Sequence, residues 1–316
     1  HSPPPRSTSR QGRYRLALVI LLLLGALVRF VNLDWGEGTH LHPDERYLTM
    51  VAGTLRFPGE ATTESGAPIC EDFGACLRLY WDTADSPINP MNYDQFVNYV
   101  YGTLPIFVTR AVGRWTDAVL CGQMPVDAEA CLPGTYTGYA GIHYVGRGLS
   151  ALADVAALLG LMLLARSLFG NRLSLLAGGL YAFAVLPIQH AHFFVVDSFA
   201  TVFVVWTLLL CVLAAGKHKP GGLILLAGLM TGLAVASKIS VWPLSLIVGL
   251  TGVMRFDSGE GPHFRLSLRR VLVLIGSGIA AALAFRIAQP YAFMGPGFLG
   301  VSPNLQWIAT IKDIRR

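Results

Sequence analysis

Seven runs of apolar residues, most of them near the length that crosses a bilayer, constrain this chain more than any motif in it. A transmembrane helix needs about 20 consecutive apolar residues. The runs fall at Tyr14 to Leu33, Arg147 to Leu168, Leu173 to Phe194, Ser198 to Gly216, Leu223 to Ser237, Ile239 to Met254 and Val271 to Ala288. Only 14% of the 316 residues are charged, against roughly 25% in soluble domains, and mean hydropathy is +0.52. These values exclude an ordinary soluble domain and predict an all-α polytopic membrane protein.

The junctions between runs set the topology. Arg6, Arg10, Arg13 and Arg15 precede the first run, Arg166 and Arg172 flank the turn after the second, Lys217 and Lys219 follow the fourth, and Arg255, Arg265, Arg269 and Arg270 follow the sixth. Every second junction is therefore basic, as short cytoplasmic loops are. Of the 19 acids, 14 lie between Asp34 and Glu129, which places that stretch outside. The pattern predicts a multi-pass protein of the cell membrane with its N-terminus inside. Residues 1–13 read as a disordered cytoplasmic tail, 14–294 as a module of about seven transmembrane helices, and 295–316 as an extracytoplasmic amphipathic tail, expected to open a further region. No small-residue cleavage site follows the first run, so it reads as an uncleaved anchor. The basic residues are scattered over turns, and nothing in that pattern supports nucleic-acid binding.

The first extracytoplasmic loop, about 34–141, is too long for a simple connection. Its "NYDQFVNYVYGTLPIFVTRAVGRW" segment predicts an interfacial helix. A further span at Val97 to Val112 would invert every later junction. Cys70 with Cys76, and Cys121 with Cys131, form two local pairs that favour disulfides in an oxidising compartment; a four-cysteine metal site is the rival, although the spacings do not suit a zinc ribbon. Cys211 lies alone inside a run.

The loop opens with "HLHPDERYLTM", residues 40–50. Pro43 signals a helix start, and Asp44 and Glu45 suit its first turn. The pair has a bland reading as dressing of a surface helix. Further polar residues fall at the same membrane face: Arg147 opening the second run, Asp197 after the third with His190 and His192 nearby, and Lys238 between the fifth and sixth. Each has its own bland reading, such as an N-terminal acid or a snorkelling lysine. Together they predict a charged pocket, since ionisable residues at membrane depth tend to be functional. Cations there suit a lipid-borne phosphate, and a carboxylate suits a general base.

At these residues the sequence resembles the GT-C superfamily of membrane glycosyltransferases, in the branch of the protein O-mannosyltransferases and aminoarabinose transferases. The resemblance rests on the acidic pair Asp44–Glu45, Arg147 with "LSALADVAALLGLMLLARSLFG", "VVDSFATVFVVW", "ASKISVWPL" and "QPYAF" at 289–293, and covers about residues 14–292. It implies a polyprenyl-phosphate sugar donor, inverting transfer on the extracytoplasmic face, and Asp44 as the catalytic base. Glu45 would support Asp44, and Asp197 would position the acceptor or a metal. Arg147 and Lys238 would neutralise the lipid phosphate, with His42 and His192 as further substrate contacts. Members differ in their use of a divalent metal ion; His40, His42, His190 and His192 could join Asp44 and Asp197 around one, against the bland reading of histidine as an interfacial polar group, so the metal stays open. The "HPP" segment that often follows the acidic pair is represented only loosely by "SPINPMNYDQF", so the acceptor is left open. Besides donor and membrane lipid, a larger membrane complex is a further partner class. A non-catalytic subunit built on the same module, or a transporter, are the alternatives; a transporter would be expected to carry internal repeats.

Overall fold

The computed structural model describes residues 7–63, 65–121, 134–216, 220–255, 263–264 and 267–313. Twelve α-helices dominate the described residues: α1 (Ser7–Phe30), α2 (Pro43–Thr54), α3 (Phe73–Tyr80), α4 (Thr103–Thr116), α5 (Ile142–Phe169), α6 (Asn171–Ala182), α7 (Val185–Ala191), α8 (Val196–Ala215), α9 (Gly221–Ser237), α10 (Leu244–Val253), α11 (Leu268–Ala288) and α12 (Leu305–Asp313). The one described sheet is a two-residue ribbon, Met254–Arg255 antiparallel to His263–Phe264, between α10 and α11. The architecture is a helical membrane bundle with α2–α4 folded over one end.

Each apolar run is helical, but the helices are less uniform than the runs. By length and composition α5, α8 and α11 are able to cross a membrane, and α6 with α7 make a fourth span if the pair is counted as one despite a 58° bend. The expectation of seven full-length spans is thus not matched helix for helix. Two prolines account for much of this. A proline inside a helix removes an amide donor and crowds the carbonyl four residues back. Pro187 would do so against Phe183, and the chain instead turns at Phe183–Ala184 and restarts with Pro187 in the first turn of α7. Pro243 separates a 3-10 turn, Ile239–Val241, from α10. At the N-terminus α1 already begins at Ser7, so residues 7–13 are helical rather than part of an irregular tail.

Two devices hold the bundle. In α9, Gly228 and Gly232 face α11 so closely that an added Cβ would lie 2.3 Å from the carbonyl oxygens of Ser277 and Ala281. Small residues four apart allow this backbone approach, which drives helix pairing where lipid supplies no hydrophobic contrast. The second device joins α1, α5 and α6. Arg29 is fully buried, its Nε 2.5 Å from Asp154 Oδ2, and its other nitrogens donate to the carbonyls of Gly25, Tyr181 and Ala182. The Tyr181 hydroxyl donates to the other oxygen of Asp154 at 2.6 Å.

The long loop packs as a small domain would. Leu48 and Val51 of α2 with Leu55 just after it, Ile106 and Phe107 of α4, and Ile88 and Phe96 between them are buried against Ile142, Phe194, Phe199 and Tyr291 of the bundle. The segment read as an interfacial helix forms α4, only 14 residues long, about 21 Å and too short to span; rather than lying free on the surface, it is embedded among α2, α5 and α9. Glu60 ties the chain after α2 to α4 through Arg110 and Arg114. Cys70 and Cys76 form a disulfide beside α3. Cys121 is also disulfide-bonded; Cys131, its expected partner, lies outside the described residues.

Candidate active site

The acidic pair opens α2, and local chemistry explains how its two carboxylates part. His42 is the N-cap, its Nδ1 accepting from the Asp44 amide at 3.2 Å, and Pro43 supplies the first helical residue. Adjacent helical side chains diverge by about 100°. Glu45 turns inward and is fully buried, whereas Asp44 remains half-buried at the surface of the fold.

Glu45 meets Arg147 in a two-pronged ion pair, Nε to Oε1 at 2.7 Å and Nη2 to Oε2 at 2.8 Å, both side chains at most 1% exposed. Arg147 Nη1 donates to the Leu33 carbonyl at 2.6 Å. The Phe194 amide donates to Glu45 Oε1 at 2.9 Å. Gly146 makes this possible, because a Cβ there would lie 2.3 Å from the Phe194 ring. One buried carboxylate thereby fixes α2, the start of α5 and the strand-like entry to α8 relative to one another. Arg147, expected to neutralise a lipid phosphate, has every prong of its guanidinium engaged by the protein.

Asp44 faces a different set. Tyr101 donates its hydroxyl to Asp44 Oδ1 at 2.9 Å. Burial first, then this hydrogen bond and the charges of Asp44 and Asp197, push the Tyr101 phenol well above its ordinary range, so it stays a neutral donor. Asp197, in the first turn of α8, binds Lys238 Nζ at 2.6 Å where the chain leaves α9. Both partners are about one third or more exposed. Gly102 brings Tyr101 to this place: its amide donates to the Ser237 carbonyl, and an added Cβ would lie 1.9 Å from the Ala236 oxygen. Thr103 then anchors the start of α4 on Gln289 and the Ala288 carbonyl. Asp44, Tyr101, Asp197 and Lys238 form one polar cluster from four separate segments, with Glu45–Arg147 buried behind it.

Tyr101 was not singled out by the sequence, which offers no local signal for it. The histidines take up backbone and ring contacts. His192 has Nδ1 2.8 Å from the Ile188 carbonyl and Nε2 3.0 Å from that of Val31, and the His42 ring lies on Phe193. His40 is buried edge-on to His143 and Tyr139; desolvation holds its pKa below the ordinary histidine value. Among the described residues no three histidine, cysteine or acidic side chains converge as metal ligands. The side chains expected around a metal are instead held apart by other partners: Asp44 by Tyr101, Asp197 by Lys238, and His192 by two backbone carbonyls.

The comparisons with known proteins agree with this architecture. Residues 143–258 match the family Dolichyl-phosphate-mannose-protein mannosyltransferase; the match includes Arg147, Asp197 and Lys238 and leaves Asp44 and Glu45 outside it. The archaeal oligosaccharyltransferase of Archaeoglobus fulgidus, in its apo crystal form, is similar over 97% of this chain with a TM-score of 0.56 at 16% identity. The same organism's oligosaccharyltransferase AglB, in complex with an inhibitory peptide and a dolichol-phosphate, is similar over 97% with a TM-score of 0.53 at 16% identity. The fold is of the GT-C type. This GT-C-type chain spans 32% of the length of those two structures. A sequence comparison with curated proteins gives no match.

Proposed function

We propose that this GT-C-type chain transfers a sugar from a polyprenyl-phosphate donor to an acceptor hydroxyl or amide at the extracytoplasmic face of the cell membrane, with inversion. The observation that carries the reading is the convergence of Asp44, Tyr101, Asp197 and Lys238 at one end of a membrane bundle. The match to a mannosyltransferase family over α5–α10 supports it, as does a similar fold that holds a dolichol-phosphate and a peptide in AglB.

The roles follow from exposure and partners. Asp44 takes the proton of the acceptor as that atom attacks the anomeric carbon. The bond from that carbon to the phosphate oxygen breaks, and the phosphate leaves with the electron pair. Lys238 stabilises the phosphate. Its pair with Asp197 is about one third or more exposed, and such pairs contribute about 0–1 kcal/mol, so exchange of Asp197 for the singly charged phosphodiester of the donor loses little, and the second negative charge that the phosphate gains on leaving strengthens the contact. Arg147 and Glu45 position α2 and α8 from behind. Tyr101 orients the Asp44 carboxylate.

Two measurements follow. Lys238→Ala is expected to weaken binding of a polyprenyl-phosphate sugar roughly 10- to 100-fold, the loss of one charge-assisted contact of about 1.5–3 kcal/mol, with a smaller effect on turnover once the donor saturates. Binding equal to the parent's would remove Lys238 from the phosphate site. For sidedness, a membrane-impermeant maleimide applied to intact cells is expected to label Cys70 and Cys76 only after reduction. Labelling solely from the cytoplasmic side would reverse the proposed topology.

A further inference from the structure

At the other end of the bundle the start of α1 meets the α5–α6 junction around a cavity of about 940 Å³, bordered by Arg10, Arg13, Tyr14, Phe169, Arg172 and Leu175. The 28 residues of α5 separate it by about 40 Å from the cluster around Asp44. Tyr14 forms its floor, with its hydroxyl 3.0 Å from Ser174 Oγ and the Arg166 guanidinium 4.8 Å above its ring. Arg10, Arg13 and Arg172 are exposed and make no ion pair or side-chain hydrogen bond with the described residues. No counter-charge is at hand in these segments: the sequence has no acid before Asp34 and none between Asp154 and Asp197, and Asp154 is already bound to Arg29. The first turn of α6 opens into the same place, and its N-cap, Gly170, supplies no side-chain acceptor.

Three guanidinium groups without an ion-pair partner among the described residues, and a helix N-terminus without a side-chain cap, make a site for a phosphate group, since arginine forks match phosphate oxygens and first-turn amides add donors. The surroundings distinguish a lipid phosphate from a soluble one. Leu16, Phe169 and Leu173 beside the arginines are large, apolar and about half or more exposed, so a ligand with a phosphate and acyl chains matches both halves of the surface. We propose that this cleft binds the headgroup of an anionic phospholipid, on the membrane face opposite Asp44.

The test is native mass spectrometry of the full chain released from nanodiscs containing equal fractions of phosphatidylglycerol and phosphatidylcholine. The parent is expected to retain phosphatidylglycerol preferentially. The triple variant Arg10→Gln/Arg13→Gln/Arg172→Gln is expected to lose that retention by roughly 100-fold, each cation near the surface contributing about fivefold. Arg269→Gln, which removes a cation at the same end of the bundle outside the cleft, is expected to leave it unchanged. If the triple variant does not fold, Arg13→Gln and Arg172→Gln alone are each expected to reduce retention severalfold. Displacement of the lipid by millimolar inorganic phosphate would identify a soluble phosphate as the natural source. Equal retention of the two lipids by the parent, or undiminished phosphatidylglycerol on the variants, would overturn the site.

Discussion

Asp154→Ala is expected to destabilise the bundle by about 3–5 kcal/mol, because it removes one partner of a buried ion pair and leaves the other charged. Arg29 is fully buried and keeps only the carbonyls of Gly25, Tyr181 and Ala182 once Asp154 is gone. Those carbonyls carry partial charges, which places the expected value toward the lower end. The Tyr181 hydroxyl also loses its acceptor. The change is read as a fall in the apparent melting temperature of the purified protein in detergent. Replacing both partners at once, as Arg29→Leu with Asp154→Leu, is expected to restore part of the loss, since no unpaired charge then remains. A single variant that melts with the parent would show that the pair contributes nothing to holding α1 against α5 and α6.

That pair also marks the limit of what the sequence discloses. Apolar runs and basic junctions are local properties, so the helices and the two charged ends of the bundle were legible from the chain alone. The division between Asp44 and Glu45 was legible too, because it follows from the angle between neighbours on a helix. Contacts between distant segments were not. In the sequence Arg29 is one charge near the end of an apolar run, and its partner lies 125 residues away. Tyr101 is 57 residues from Asp44 and reaches it only because Gly102 permits the close docking of its segment on the end of α9. Arg147 was read as facing a phosphate, since topology placed it at the right membrane face. Which way its side chain turns depended on Gly146, Phe194 and the burial of Glu45. The bend at Phe183 escaped because an apolar average over a run takes no account of where Pro187 sits.

Asp44→Asn is the change expected to alter activity most. It preserves the size of the side chain and an oxygen to accept from Tyr101, while removing the capacity to take a proton. General-base catalysis contributes typically about 100- to 10,000-fold. The half-buried position of Asp44 and its freedom from any ion pair among the described residues leave it open to an acceptor, unlike Glu45, which is held by Arg147. Tyr101→Phe is expected to have a smaller effect, roughly 10- to 100-fold, as the loss of one charge-assisted hydrogen bond. The central measurement is the rate of sugar transfer from a polyprenyl-phosphate donor by the purified Asp44→Asn protein, set beside its donor affinity and melting temperature. The account predicts parent-like affinity and melting with transfer lowered by about 100- to 10,000-fold. Transfer at the parent rate would contradict it, and Asp44 would then be only the first-turn acid of α2.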